Sequence, residues 1–363
     1  MRNSETPTYC IFDGLNWNSA RGLGRFAVQL RRHLQRMPWR ALTYSMPRWG
    51  SPLGRILLSE FVEPFWNEAL APQVAFYPHN VLPFFSLTHR SVFVLVLHDL
   101  LFLDEANKSS GNKYRSLKLK HSLSRADFIL TVSESSRAEI LKVLNRECPV
   151  LVLPNALAAG FDVLPEIETR TRNRPSSAKI IHFGGHAPSK NTKSVLKAIA
   201  ILNRKGHAVH LVLASMSTNR ALVEQWRQEV GLASDALNVL PSLSDAELKV
   251  AYADSDAHCM PSTGEGFGIP VIEAARAGVP NVLSSLPVFC EIMGEDAIYA
   301  ESLQAETIAS SILHCLQSDT QAMTRRARKR TDRYLFESVH SSDAVPALLA
   351  IEEMVASHRR KSR

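Results

Sequence analysis

Short, almost continuous apolar runs recur along the chain, and helical patterns separate them. Residues 9–13, 92–97, 128–132 and 150–153 are such runs, followed by 179–183, 210–214, 238–240, 257–260 and 281–284. A strand with one wetted face alternates apolar and polar residues, whereas these runs do not alternate. They fit strands buried on both faces, which means a parallel sheet sandwiched between helices, the α/β class. The connecting segments carry a 3.6-residue period. In 24–37, Phe26, Ala27, Leu30, Leu34 and Met37 share one face, and Arg25, Arg31, Arg32 and Arg36 the other. Helices are also predicted over 113–123, 135–143, 192–204, 221–230, 245–253, 305–316 and 323–334, with a helical, then basic, tail from 344.

The alternation lapses once. Residues 161–176 are polar and lose the period before it restarts at 179, so they read as a linker between two domains. A length of 363 residues suits two domains of ordinary size, and 45% hydrophobic against 21% charged residues describes a globular chain. No apolar run reaches bilayer-spanning length, and the first ten residues lack a signal-peptide core, so a cytoplasmic location is expected. The five cysteines are scattered without a CxxC pair, which favours a reducing compartment and no structural zinc. Residues 1–174 hold 22 Lys and Arg against 15 Asp and Glu, which accounts for the whole net charge of +7. A basic half attracts phosphates or an anionic membrane surface. Aromatic residues are not interleaved with the basic ones as base stacking needs, so nucleic acid is not expected as a partner.

Chemistry concentrates in 261–280, PSTGEGFGIPVIEAARAGVP. Glu265 and Glu273 stand there with seven residues between them. Gly264, Gly266 and Gly268 form a turn leading into a short helix, with Pro270 expected at its first position and Gly278 and Pro280 at its stop. The open amides of such a helix start favour an anion, typically a phosphate. This places Glu265 in the loop and Glu273 in the first helical turn, where it serves either a ligand or merely the helix dipole.

Other candidates lie at strand ends, where open α/β sheets hold their ligands. In HFGGHAPSKN, Gly184 and Gly185 end a strand and Lys190 opens a helix, as a diphosphate cation or an ordinary surface lysine. His98 ends the strand 92–97, either as a base or as a histidine satisfied inside the fold. Ser133 and Asn155 end two more strands. In NWNSARGLGRF, Gly22 and Gly24 with Arg21 and Arg25 fit a phosphate cradle or a plain tight turn, but neither a P-loop nor GxGxxG. The triplet Asp254-Ser255-Asp256 ends one helix and opens a strand, and reads as punctuation rather than a metal site. The basic run 325–333 reads as a solvated helix face. The basic face of 24–37 has a second reading, contact with a membrane surface.

Taken together, HDLLF, TVSESSRAEIL, LPNAL, SKNTKSVLKAIAIL, LPSLSDAELKVAYADSDAHCMPS and GEGFGIPVIEAARAGVP resemble, in that order, the motifs of retaining GT-B glycosyltransferases of family 4. The likeness spans most of the chain. RGLGRF is similar to a subset containing mannosyl- and rhamnosyltransferases of bacterial polysaccharide assembly. The resemblance implies two Rossmann-like domains with a cleft between them and a C-terminal helix crossing back to the first. The divisions would be 1–165 for an acceptor-side domain, 166–176 for the linker, 177–340 for a nucleotide-sugar-binding domain and 341–363 for the helix and tail. Glu273 would hold the ribose and Glu265 the donor sugar. Amides of Gly266, Phe267 and Gly268 would hold sugar and phosphate, and Lys190 the diphosphate beside Gly184 and Gly185. Gly22 and Gly24, flanked by Arg21 and Arg25, would close over the phosphate, with Ser133 nearby and His98 near the incoming acceptor. The family's usual Arg, directly after a glycine in the strand-end loop before the helix 192–204, is missing here, where Gly184-Gly185-His186 stands. Arg21, Arg25 or His186 would substitute.

The resemblance implies transfer with retention, with no metal or other cofactor and the nucleotide sugar as substrate. GDP-mannose is the expected donor and a glycan or lipid-linked saccharide the expected acceptor, with the enzyme at or near the inner face of the membrane. A UDP-sugar transferase, a nucleotide-sugar epimerase, a phosphorylase and a non-catalytic scaffold are the alternatives. A dinucleotide oxidoreductase is disfavoured by the absence of GxGxxG.

Overall fold

The computed structural model describes residues 6–12, 22–42, 58–84, 91–101, 110–158, 160–161, 177–214 and 219–361. The linker expected at 166–176 and Arg21 lie outside them. The chain divides into two compact units, Met1–Ala156 with Glu337–Arg363, and Leu157–Phe336.

The first unit is built on a parallel sheet of order β2-β1-β3-β4-β5-β6. Its strands are β1 (Thr8–Ile11), β2 (Arg40–Ala41), β3 (Val74–Tyr77), β4 (Val92–Val96), β5 (Phe128–Thr131) and β6 (Val150–Val152). β3, β4 and β5 are buried at every position, as their unbroken apolar character requires. Helices α1 (Gly22–Gln35), α2 (Glu63–Leu70), α3 (Ser110–Arg125) and α4 (Glu134–Val143) accompany the sheet. α1 begins two residues before the expected start, and its expected face is buried at Phe26, Ala27, Leu30 and Leu34. The sequence pattern gave no sign of β2, β3 or α2.

The second unit repeats the plan. β7 (Ala178–Phe183), β8 (Val209–Ala214), β9 (Leu237–Val239), β10 (Ala257–Met260), β11 (Asn281–Ser284) and β12 (Ile298–Ala300) pair in the order β12-β11-β10-β7-β8-β9, all parallel. Between them run α5 (Thr192–Arg204), α6 (Arg220–Glu229), α7 (Asp245–Ala253), α8 (Ile269–Arg276) and α9 (Pro287–Met293), and after the last strand come α10 (Ala305–Gln317) and α11 (Gln321–Arg330). One apolar core joins Val195, Leu196 and Ile199 of α5 to Leu211 and Leu213 of β8 and Ile308 and Ile312 of α10. Counted from its own first strand, this sheet has the order 3-2-1-4-5-6 of dinucleotide-binding folds. The order reverses between β7 and β10, so the loops that leave those two strands flank the crevice where such sheets bind their ligands.

The last helix, α12 (Val345–Lys361), belongs to the first unit and buries Ala347, Leu348, Ile351 and Val355. Arg36, just past the end of α1, holds Glu337 through two hydrogen bonds of 2.6 and 2.8 Å, and Trp39 Nε1 donates to Glu352 at 3.2 Å.

Candidate functional site

Both loops at the reversal point carry the predicted residues. β7 runs into Gly184 and Gly185, then the turn Pro188–Lys190, then α5. Gly184 is required sterically, because a Cβ there would lie 2.2 Å from His182 Nε2 and 2.3 Å from Thr192 Oγ1. β10 runs into Ser262, Glu265 and the glycine turn. Gly268 caps α8 at φ +110°, where a Cβ would lie 2.7 Å from the Phe289 ring. The positive φ starts α8 at Ile269. Pro270 is therefore its second residue, not its first, and Glu273 lies beyond the first turn rather than in it.

The two loops are joined. Thr263 N donates to Ser189 O at 2.8 Å. Lys190 Nζ then lies 2.6 Å from Glu265 Oε1, which also accepts from Ser262 Oγ at 2.8 Å. Side-chain exposure is 26% for Lys190 and 12% for Glu265, so the pair is partly desolvated yet reachable. Its charges interact more strongly than a surface pair would. Ser284 Oγ donates to Ser262 O at 2.7 Å and ties the loop to β11. Phe267 is buried, its ring edge-on to Tyr334 at 5.4 Å.

Glu273 points inward and is 1% exposed. The Tyr252 hydroxyl lies 3.2 Å from Glu273 Oε2 and 3.1 Å from Pro270 O, so its proton fastens the carboxylate to the start of α8. Tyr252 is itself fully buried, stacked on Phe183 at 5.3 Å. Beneath this layer lie two histidines. His182 places Nδ1 2.8 Å from Cys259 O and Nε2 3.1 Å from Thr192 Oγ1, and His258 Nδ1 lies 2.6 Å from Asn281 Oδ1. Burial, aided by the Lys190 charge, holds them neutral, at about 3 for His182 and about 4 for His258. Two unprotonated rings leave Lys190 as the local cation and add no competing positive charge.

In the first unit, His98 follows β4 and is buried. Its backbone N–H donates to Asn80 Oδ1 at 2.8 Å, its ring meets the Phe26 ring edge at 5.0 Å, and its Nε2 has no hydrogen-bond partner among the described residues. Burial lowers its pKa to about 4, although a hydrogen bond to the Pro78 backbone opposes the shift. A neutral imidazole with an unoccupied nitrogen can accept a proton or a hydroxyl hydrogen bond. Ser133 has a structural role: its Oγ accepts from Ser136 N at 3.0 Å and caps α4. Gly22 and Gly24 lie in the first turn of α1, and Arg25 is half-buried behind them.

Sequence reasoning overlooked Tyr252, Ser262 and Gln29. Gln29 is buried on the apolar face of α1, where its Nε2 donates to Pro154 O at 3.0 Å and its Oε1 accepts from Ala156 N at 2.8 Å. It thereby secures the loop that carries Asn155, whose Oδ1 is buried without a hydrogen-bond partner among the described residues. A glutamine among Phe26, Ala27, Leu30 and Leu34 was the available signal. The Asp254–Asp256 triplet is spent locally, since Asp254 Oδ2 lies 2.7 Å from Lys179 Nζ and Asp256 Oδ2 accepts from Lys179 N at 2.8 Å. Among the described residues no three His, Cys, Asp or Glu side chains converge.

A doubly wound sheet whose reversal point presents a glycine turn, a reachable lysine and a partly exposed acid has the arrangement in which such sheets hold phosphorylated ligands. Residues 165–332 match the family "Glycosyl transferases group 1". Among relatives, the O-antigen chain mannosyltransferase B of Escherichia coli is 26% identical over 268 residues, 70% of each chain. The O-antigen chain mannosyltransferase RfbU of Salmonella typhimurium is 29% identical over 234 residues, 62% of each chain. Among solved structures, a sucrose-phosphate synthase of Thermosynechococcus elongatus superposes with TM-score 0.76 at 18% identity, over 97% of this chain and 100% of that one. The chain has the GT-B fold, and the comparisons support a glycosyltransferase, with the group 1 match confined to residues 165–332.

Proposed function

We propose that this glycosyltransferase moves mannose from GDP-mannose to a glycan or lipid-linked saccharide in bacterial surface polysaccharide synthesis, with retention at the anomeric carbon. The Lys190–Glu265 pair at the reversal point carries the reading. A cation and an acid already in contact, beside amides of Gly266, Phe267 and Gly268, suit a ligand that joins an anionic diphosphate to a neutral sugar. The names of the two mannosyltransferase relatives support the sugar.

In this reading the donor diphosphate takes Lys190 from Glu265, and the freed carboxylate accepts hydrogen bonds from sugar hydroxyls. Glu273 grips the ribose. Gly184, Gly185 and the start of α8 present N–H groups to the phosphates, and phosphate contact is the role proposed for Gly22, Gly24, Arg21 and Arg25. The bond from the anomeric carbon to the diphosphate oxygen breaks, and its electron pair leaves with GDP. The acceptor hydroxyl attacks from the same face and gives its proton to the departing phosphate oxygen. Lys190 and the amides stabilise the developing charge, so the chemistry needs no metal. His98 orients the acceptor hydroxyl or the sugar. The linker falls at 166–176, and the enzyme works at the inner face of the cytoplasmic membrane. No helix among the described residues is long and apolar enough to cross one.

Thermal-shift titration with GDP- and UDP-sugars tests the donor, because tight binding to the folded state raises the melting midpoint by mass action. Stabilisation by a UDP-sugar alone would overturn GDP-mannose. Transfer surviving unchanged in both Glu265→Gln and Glu273→Ala would overturn the site. Conversion of the donor with no acceptor present would point to an epimerase.

A further inference from the structure

In the first unit, the segment Leu58–Val62 runs into α2 and lies against α3. The seam between them is polar and buried. Glu60 accepts from Phe84 N at 2.7 Å and from the Tyr114 hydroxyl at 3.3 Å, and pairs with Lys118 Nζ. Turned outward from that seam are Phe61, 58% exposed, and Phe65, 60% exposed, four residues apart and so on one helical face. Across it stand Tyr114 and Leu117, 37% and 61% exposed, three residues apart on α3. These include every exposed aromatic side chain among the described residues.

The charges around this patch have a pattern. Lys113, Leu117 and Lys120 follow at i, i+4 and i+7, all exposed, so a cation flanks the apolar stripe at each end. The nearby acids Glu60 and Glu63 are buried, and the exposed Glu68 lies toward the far end of α2. The surrounding 1–174 segment carries the entire positive excess of the chain.

We infer that this face is a docking surface for an anionic lipid bilayer, with Phe61, Phe65 and Leu117 entering the acyl boundary and Lys113 and Lys120 meeting the headgroups. Aromatic and aliphatic side chains bracketed by lysines match a bilayer edge, which is apolar within and negative at its rim. A second protein surface would have to supply acids at two separate points around an apolar centre. The inference gives a location to the membrane attachment in the proposed function and moves it away from the basic face of α1. It rests on that reading only for the attachment itself, since vesicle binding requires no donor or acceptor.

The full chain is sedimented with vesicles of phosphatidylcholine alone and with one-quarter phosphatidylglycerol. Binding to the anionic vesicles and not to the neutral ones is expected. Phe61→Ser with Phe65→Ser should reduce bound protein about tenfold at unchanged thermal midpoint and unchanged thermal shift by GDP. Lys113→Glu with Lys120→Glu should lower binding and flatten its dependence on salt. No binding by the unaltered chain would overturn the inference, as would binding by the double Phe variant equal to that of the unaltered chain. Loss of binding only in Arg31→Glu with Arg32→Glu would return the contact to α1. A dimer dissolved by the Phe substitutions, with vesicle binding intact, would assign the patch to a second copy instead.

Discussion

Lys190 Nζ and Glu265 Oε1 are 2.6 Å apart across 75 residues of sequence. Each neutralises the other, so a ligand taking the lysine also releases a carboxylate. The two substitutions should therefore separate. Lys190→Ala should weaken GDP binding and slow transfer on the order of 100-fold, as losing one preorganised stabiliser of a leaving group does. Glu265→Gln should slow transfer comparably while leaving GDP affinity near that of the unaltered chain. Calorimetry with GDP beside steady-state rates checks this, and equal weakening of GDP by both substitutions would contradict it.

Tyr252 acts on Glu273 through one hydroxyl at 3.2 Å. Tyr252→Phe keeps the ring stacked on Phe183 and removes only the oxygen. The expected cost is about 1 kcal/mol in donor affinity, or roughly five- to tenfold in KM, with kcat nearly unchanged. In a Glu273→Gln background the same change should cost much less, since the partner is already altered. Additive losses would show that Tyr252 only packs.

Gly268→Ala should lower the melting midpoint by several degrees. The φ of +110° and the Phe289 contact at 2.7 Å together cost about 1–3 kcal/mol. Gly206→Ala, at φ +85° with open space around it, gives the backbone cost without the clash. A midpoint loss no larger at Gly268 than at Gly206 would remove the steric argument.

Acid should destabilise the fold early. His98, His182 and His258 have pKa values lowered by burial to about 4, 3 and 4, against 6.5 in the unfolded chain. As pH falls from 6.5 toward 4, the unfolded chain binds protons that the folded one refuses. Stability is therefore full above 6.5 and declines below it, by at most about 1.4 kcal/mol per pH unit for each group. Melting curves between about pH 7.5 and about pH 5 test the slope, and a midpoint that rises on acidification would refute it.

His33 and His340 add a local version of the same effect. Their Nδ1 atoms are 3.0 Å apart with the rings parallel, an arrangement that accommodates one proton between them. Burial and the neighbouring ring lower His33 to about 3, with Arg36 and Arg32 adding to the shift and Glu337 opposing it. As pH drops below 6.5, the protons that the opened form binds and the packed pair refuses should favour loosening of α12, seen as faster amide exchange over residues 345–361. His33→Asn with His340→Asn should remove that pH dependence.

Most strands and helices of the second unit were legible because fully buried strands cannot alternate and amphipathic helices must, whereas the short α9 and β12 were not. The turn with Glu265 in the loop and Gly268 before α8, and Lys190 after the Gly184–Gly185 turn, were legible because glycine and proline punctuate strand and helix ends. β2, β3 and α2 were not, because 38–91 is rich in proline and aromatic residues without a clean period. The basic run 325–333 reads as a solvated face in sequence, yet Arg326 and Arg330 lie 2.7 and 3.1 Å from the buried Asp296. Local sequence thus determined the elements and the motif that starts α8, since backbone propensity and turn chemistry act over a few residues. Strand order alone brought Lys190 to Glu265, put Tyr252 behind Glu273 and buried the histidines, because such contacts join chain positions whose separation carries no periodic trace.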